Sequence, residues 1–125
     1  MIWTGYYAKL KNYKSLGFDT VAISGKVPDF YDGLTYPDFA PRWGMFQDWK
    51  NGIIDNKGYE KAYVEWLETL DKEEIKKDFE LYMNDPKKHV ILLCYEKPAD
   101  FCHRHILAEW LADTFRIQVA EYYVG

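Results

Sequence analysis

The sequence predicts an α/β fold: a small parallel or mixed sheet of about four strands with helices on both faces, a Rossmann-like three-layer arrangement. Three observations predict it. Val90-Ile91-Leu92-Leu93 is a bare apolar run with β-branched residues, as expected of a strand buried on both faces in a parallel sheet. Two shorter apolar runs, Ile2 to Ala8 and Thr20 to Ser24, stand early in the chain. Elsewhere the apolar residues recur at helical spacing, so the elements read β, β, helices, β, helix, β. At 125 residues the chain is expected to be one domain, long enough to bury a real core.

The elements follow in order. Ile2 to Ala8 alternates well enough for a half-buried strand. Lys9 to Gly17 is too short and mixed for more than a turn or two of helix, and Gly17 ends it. Thr20 to Ser24 is the second strand, closed by Gly25. Val27 to Met45 is long and rich in proline and aromatics. A loop of that length in a compact domain is usually functional or disordered, and this one is too aromatic for disorder. It reads as a lid or pocket wall, with a structural cover over the sheet as the other reading. Arg42 begins a short helix running to about Lys50, and Asn51 to Gly58 is a polar turn. Glu60 to Leu70 is an amphipathic helix with Tyr63, Trp66, Leu67 and Leu70 on one face. Asp71 with Glu74 makes a capping-box variant opening a second helix to about Met83, stopped by Asn84-Asp85-Pro86. Ile117 to Val124 is a last strand at a sheet edge or running to the surface.

Val90 to His105 organises the chain. It begins as the apolar strand and ends in two cysteines, a carboxylate, two histidines and an arginine. Asp100 is a good N-cap, and Phe101 to about Phe115 reads as helix. Ligands in open α/β folds sit beyond the carboxyl ends of the strands. A helix N-terminus there offers unpaired N–H groups and a positive dipole suited to an anion. On a helical wheel, Ile106, Leu107, Trp110 and Leu111 define the buried face with His103 near its middle. Cys102 and Arg104 fall on its borders, and His105 points to solvent with Glu109 and Ala112. Right-handed crossovers would set Tyr6-Tyr7, Ser24-Gly25-Lys26 and Cys94 to Glu96 along one rim.

Leu92-Leu93-Cys94-Tyr95-Glu96, then Cys102-His103-Arg104, then Leu107-Ala108-Glu109-Trp110-Leu111 resembles the signature of the domain of unknown function family 488. Phe39-Ala40-Pro41-Arg42-Trp43 is similar to that family's Leu-Ala-Pro-x-Trp segment, and Tyr59 to Leu70 resembles its Tyr-x-x-x-Tyr helix. The resemblance runs from about Asp19 onward and implies a fold and a site, not a reaction. The family carries an Asp-x-Arg pattern near the end of the second strand. This chain has Ile23 and Gly25 at those places, which removes a candidate acid and a candidate anion binder. Lys26 stands nearby to supply part of the lost charge.

Composition narrows the function. Hydrophobic residues make up 48% and charged residues 29%, as in a soluble globular domain. No run approaches the ~20 apolar residues of a membrane span, and the N-terminus lacks the pattern of a signal peptide, so the expected location is cytoplasmic with no membrane partner. A net charge of −4 argues against duplex nucleic acid, which needs a basic face. It leaves room for a small anionic or nucleotide-like molecule in a locally positive pocket. Two cysteines without a signal fit free thiols in a reducing compartment. Aromatics reach 18%, with 11 Tyr; this density serves packing or stacking walls for a planar ligand, and leaves a homodimer open.

The first hypothesis for the site is an enzyme. Cys94 or Cys102 is the nucleophile, His103 shuttles a proton, Glu96 orients it or acts as base, and Arg104 holds a phosphate or carboxylate. Tyr6, Ser24, Lys26, Phe30, Tyr36, Arg42 and Trp43 then line the ligand. The second is a binding protein without turnover for a nucleotide-like or phosphorylated molecule. The third is a structural metal site on Cys94, Cys102 and His103, sulfur and nitrogen ligands of the kind zinc prefers, with Glu96 as a further candidate ligand. The third is disfavoured and no cofactor is expected. Adjacent Cys102 and His103 would leave one helix about 100° apart, and Cys-x7-Cys is not a common zinc spacing. Each cysteine taken singly is explained better by burial. The acid and the guanidinium beside them are not, since apolar packing requires neither.

Overall fold

In a computed structural model, residues 1–124 are described. Five strands, β1 (Ile2–Tyr6), β2 (Asp19–Ala22), β3 (Leu34–Thr35), β4 (Val90–Cys94) and β5 (Val119–Glu121), form one sheet. Its order is β3-β2-β4-β1-β5 and every pairing is parallel. Five helices accompany it: α1 (Leu10–Ser15), α2 (Trp43–Lys50), α3 (Asn56–Glu68), α4 (Lys72–Asn84) and α5 (His103–Phe115). The α/β class expected from the sequence is present, and of the two expected sheet types, parallel or mixed, the sheet is parallel. The strand beyond the expected four is β3, two residues in the proline-rich segment that pair with Val21 and Ala22.

The central strand β4 is buried along its whole length, which is why its sequence carries no polar alternation. Its side chains divide between two cores. Val90, Leu92 and Cys94 join Ile2, Val21 and Ile23 against Tyr63 and Leu67 of α3, Ile75 and Phe79 of α4, and Leu107 and Leu111 of α5. Ile91 and Leu93 face the other way, with Ala22, against Tyr7, Leu10, Tyr13 and Tyr31. Three layers result, and the second face has only short α1 and loop residues over it. Gly5 in β1 makes this cover fit: a Cβ there would lie 2.5 Å from the Tyr13 hydroxyl.

Several boundaries differ from the expected ones. The first strand ends at Tyr6 because Tyr7–Lys9 turns into a 3₁₀ helix that leads into α1. α1 stops at Ser15, and Gly17 just beyond it, with a φ of +82°, makes the left-handed turn that glycine favours, as the sequence predicts. α3 begins before Glu60, since the Asp55 side chain accepts the Gly58 N–H at 2.8 Å. Asp71 caps α4 by accepting from the N–H groups of Glu73 and Glu74, as its sequence predicts. Only Val119–Glu121 of the last expected strand pairs, and it is the sheet edge beside β1.

The main correction is at α5. The helix starts at His103, and its N-cap is Cys102, not Asp100. Cys102 has extended backbone, φ −153° and ψ 144°, and its sulfur accepts the Arg104 N–H at 3.5 Å.

Candidate functional site

The rim is set by register. Tyr6 pairs with Cys94, and Ala22 with Leu93, so β1, β2 and β4 end together. The turn after β4 then returns the chain through Cys102 into α5. Strand end and helix cap thereby bring the Cys94 and Cys102 sulfurs into contact, where the sequence suggested two free thiols. Both are buried, Cys94 fully and Cys102 to 4% exposure.

Arg104 is the largest fully buried side chain of the described residues. Its Nη1 donates to Cys94 Sγ at 2.8 Å and to the Glu96 carbonyl at 2.6 Å. Its Nε and Nη2 donate to the two carboxylate oxygens of Glu121 at 3.0 and 3.1 Å. This two-pronged pairing is the strong geometry for a guanidinium. Glu121 Oε1 also accepts from the Thr4 hydroxyl at 2.7 Å, and the Tyr6 ring lies 5.9 Å from the guanidinium carbon. The wheel put Arg104 at the border of the buried face; in the structure it lies wholly inside, because β5 supplies an acid to meet it.

His103 is 6% exposed and faces Ile23. Its Nε2 lies 2.8 Å from the Ile23 carbonyl. A carbonyl only accepts, so Nε2 carries the proton and Nδ1 a lone pair. Nδ1 lies 3.8 Å from Cys102 Sγ. Burial, opposed by the Ile23 hydrogen bond and helped by Arg104, pushes the His103 pKa down to about 4, so the ring is neutral near pH 7. The Tyr63 ring meets it edge-on at 5.6 Å. His105, expected on the solvent side, is half-buried, and burial lowers its pKa first, with Arg104 adding to the effect.

The remaining predicted residues spread around this cluster. The Glu96 side chain is half-buried, and its charge adds to the burial that raises the Tyr59 pKa. Ser24 Oγ lies 2.6 Å from the Tyr7 hydroxyl, and burial pushes the Tyr7 pKa up to about 12. Lys26 is exposed, as are Phe30 at 63% and Trp43 at 72%. Tyr36 donates its hydroxyl to Asp78 of α4 at 2.6 Å, and Arg42 stacks 4.5 Å above the Trp66 ring of α3. The structure thus gathers Cys94, Cys102, His103, Arg104, Tyr6 and the Glu96 backbone, and places Tyr36 and Arg42 on the neighbouring helices. Sequence reasoning missed Glu121. Its only signal was an acid in the last strand, and its partner lies across the sheet edge.

Two surface grooves, of about 610 and 370 Å³, lie by the end of α4, the larger lined by Lys77, Glu80 and Leu81 and the smaller by Met1, Tyr82 and Arg116. Both are away from the cysteines, and the smaller is at the amino edge of the sheet. Ligands of open parallel sheets bind at the carboxyl edge, where the cysteine cluster lies. No helix among the described residues is long and apolar enough to cross a membrane.

Fold and cluster together define a small parallel α/β protein with a cysteine, histidine and arginine knot at the carboxyl rim. The chain belongs to the DUF488-N3a family, described as the active DUF488-N3 subclade, whose model matches residues 18–114. The match spans β2 to α5 with Cys94, Cys102, His103 and Arg104, and leaves out Tyr6 and Glu121. No curated protein and no solved structure matches the chain.

Proposed function

We propose that this chain is an enzyme acting on a small anionic, nucleotide-like molecule at the carboxyl rim, by thiolate or acid–base chemistry at Cys94, Cys102 and His103. The observation that carries the reading is the Arg104 guanidinium, held by Glu121 and aimed at Cys94 Sγ from 2.8 Å. A buried cation beside a sulfur favours the thiolate over the thiol. On the other side the neutral His103 presents the Nδ1 lone pair to Cys102, the arrangement of a base beside a thiol. The N-terminus of α5 adds its dipole. Glu96 acts as an acid–base group or accepts from a base or sugar hydroxyl of the ligand. Because Arg104 is engaged with Glu121, charge on the ligand falls to Lys26 and Arg42, with Tyr6, Ser24, Phe30, Tyr36 and Trp43 as walls. The description of the matched subclade as active supports turnover.

A second reading, a binding protein without turnover, is favoured by one observation: both sulfurs are nearly inaccessible. One experiment separates the two. The reduced chain is incubated with a panel of nucleotides and sugar phosphates, products are read by liquid chromatography and mass spectrometry, and binding by tryptophan fluorescence. The enzyme reading expects Cys94→Ser or Cys102→Ser to abolish turnover while binding survives. Near-silent cysteine variants, with affinity lost on Trp43→Ala, select the binding protein. A panel that neither binds nor changes refutes both.

A further inference from the structure

Three metal-binding atoms meet at the rim: the sulfurs of Cys94 and Cys102 and a ring nitrogen of His103 lie within 4.8 Å of one another, all buried. We propose that Cys94, Cys102 and His103 hold a divalent transition-metal ion of the zinc class, with its fourth coordination position open. The proposal rests on reading this cluster as the reactive centre; with the ion bound, the three side chains act as ligands in place of nucleophile and base, and the open position takes water or substrate.

The ligand chemistry comes first. Two sulfurs and an imidazole suit zinc and its neighbours, not magnesium or calcium, which take oxygen. The objection that adjacent residues diverge on a helix does not hold, because Cys102 is not helical. Its extended backbone at the cap turns its sulfur toward the His103 ring.

The histidine is prepared for an ion. Ligating histidines almost always donate the other ring N–H to a carboxylate, carbonyl or water, which fixes the tautomer. Here Nε2 donates to the Ile23 carbonyl at 2.8 Å, and Nδ1 turns to Cys102 Sγ.

The backbone spacing fits an ion better than a bond. The Cys94 and Cys102 Cα atoms are 7.9 Å apart, beyond the roughly 4.4–6.8 Å that disulfides usually span. A bridging ion inserts two metal–sulfur bonds of ~2.3 Å each. The sulfurs must part from contact to admit it, and the wide Cα spacing gives them room.

The charges also balance. Arg104 is paired with Glu121, so two thiolates and a divalent ion leave the buried cluster neutral, with the Arg104 N–H as a hydrogen-bond donor to the Cys94 sulfur. Among the described residues the group contains no fourth histidine, cysteine or carboxylate. Closed structural zinc sites have four protein ligands, whereas catalytic sites have three and leave a position for water or substrate.

The test uses the full chain purified under reductant. Zinc content is measured by elemental mass spectrometry. Chelator-stripped protein is then titrated with cobalt(II), and the tetrahedral and sulfur-to-cobalt absorption bands are followed. An equimolar ion and both bands are expected. Cys102→Ser and His103→Gln should each weaken cobalt binding by more than the ~10–100-fold that outer-shell changes produce. Wild-type protein that takes up neither zinc nor cobalt, or whose sulfurs prove to be a disulfide by intact mass under the same reductant, overturns the proposal. Nucleotide turnover by stripped protein does so too while leaving the enzyme reading standing. Cobalt bands from a chain that turns over nothing would uphold the metal site and remove the enzyme reading.

Discussion

Replacing Glu121 by glutamine removes the carboxylate that, among the described residues, meets the buried Arg104 guanidinium. Glu121 accepts at 3.0 and 3.1 Å from two arms of a side chain that is 0% exposed, and is itself 8% exposed. Unit charges 4 Å apart interact by about 4 kcal/mol at an effective dielectric near 20. Glutamine keeps the shape and one acceptor, but turns an NH₂ group toward a cation with no route to water. Breaking one half of a buried pair typically destabilises by about 3–5 kcal/mol, and the retained acceptor puts this variant near ~3 kcal/mol. Against the usual ~5–15 kcal/mol of a domain, the chain stays folded but with its melting temperature lower by about 10 °C. The assay is urea unfolding under reductant, followed by tryptophan fluorescence and far-UV circular dichroism. Adding Arg104→Met to Glu121→Gln should recover part of the loss, since no charge is then stranded. A single-variant loss below about 1 kcal/mol, the range of exposed pairs, would refute the reasoning, as would a loss that fades as salt is raised.

Three other outcomes follow from the packing. Gly5→Ala pushes a Cβ to 2.5 Å from the Tyr13 hydroxyl and 2.7 Å from Ile91, so a stability loss of about 1–3 kcal/mol is expected; the same change in a Tyr13→Phe background should be milder, and equal losses would point elsewhere. Burial raises the pKa of Tyr13, Tyr59 and Tyr63, and that of Tyr7 to about 12. The folded chain therefore keeps protons that the unfolded chain releases near pH 10, and stability falls as pH rises from 10 through 12, by roughly 2–3 kcal/mol for Tyr7 alone. Tyrosinate absorbance should accordingly develop together with loss of the far-UV signal, and full ionisation near pH 10 of a chain with native dichroism would contradict this. Trp43→Ala, at a side chain 72% exposed, should move stability by no more than about 0.5 kcal/mol, yet weaken a nucleotide-like ligand about tenfold if the ring stacks on it. Unchanged affinity would remove Trp43 from the site.

What could be read in advance depended on how local its cause was. The bare run at Val90 announced a doubly buried strand, and Asp71 announced a cap, because each is settled within a turn or a strand. The parallel rim followed from handedness alone. β3 was invisible: Leu34 and Thr35 pair only because β2 offers an edge, and their prolyl and aromatic surroundings read as loop. Asp100 looked the better cap than Cys102 because oxygen is the common acceptor there. Arg104 was legible as a site residue but not as a buried one, since Glu121 reaches it from another strand. The convergence of both sulfurs on His103 depended on that same cap, so the wheel drawn from Phe101 set Cys102 and His103 apart.

The strand order also governs how the chain assembles. β1 and β2 are consecutive along the chain, yet β4 lies between them, and it is made only after α1 to α4. The first two strands cannot pair with each other, so a growing chain holds them with open edges until Val90 to Cys94 emerges. Contacts between elements so far apart in sequence form slowly, while unpaired edges invite association with other chains. The helices can form early, but they have no finished sheet to lie on. The strand that joins β1 to β2 also delivers Cys94, and the residues that follow deliver Cys102, His103 and Arg104. The rim cluster therefore arises late, and it is whole only when β5 brings Glu121 to Arg104.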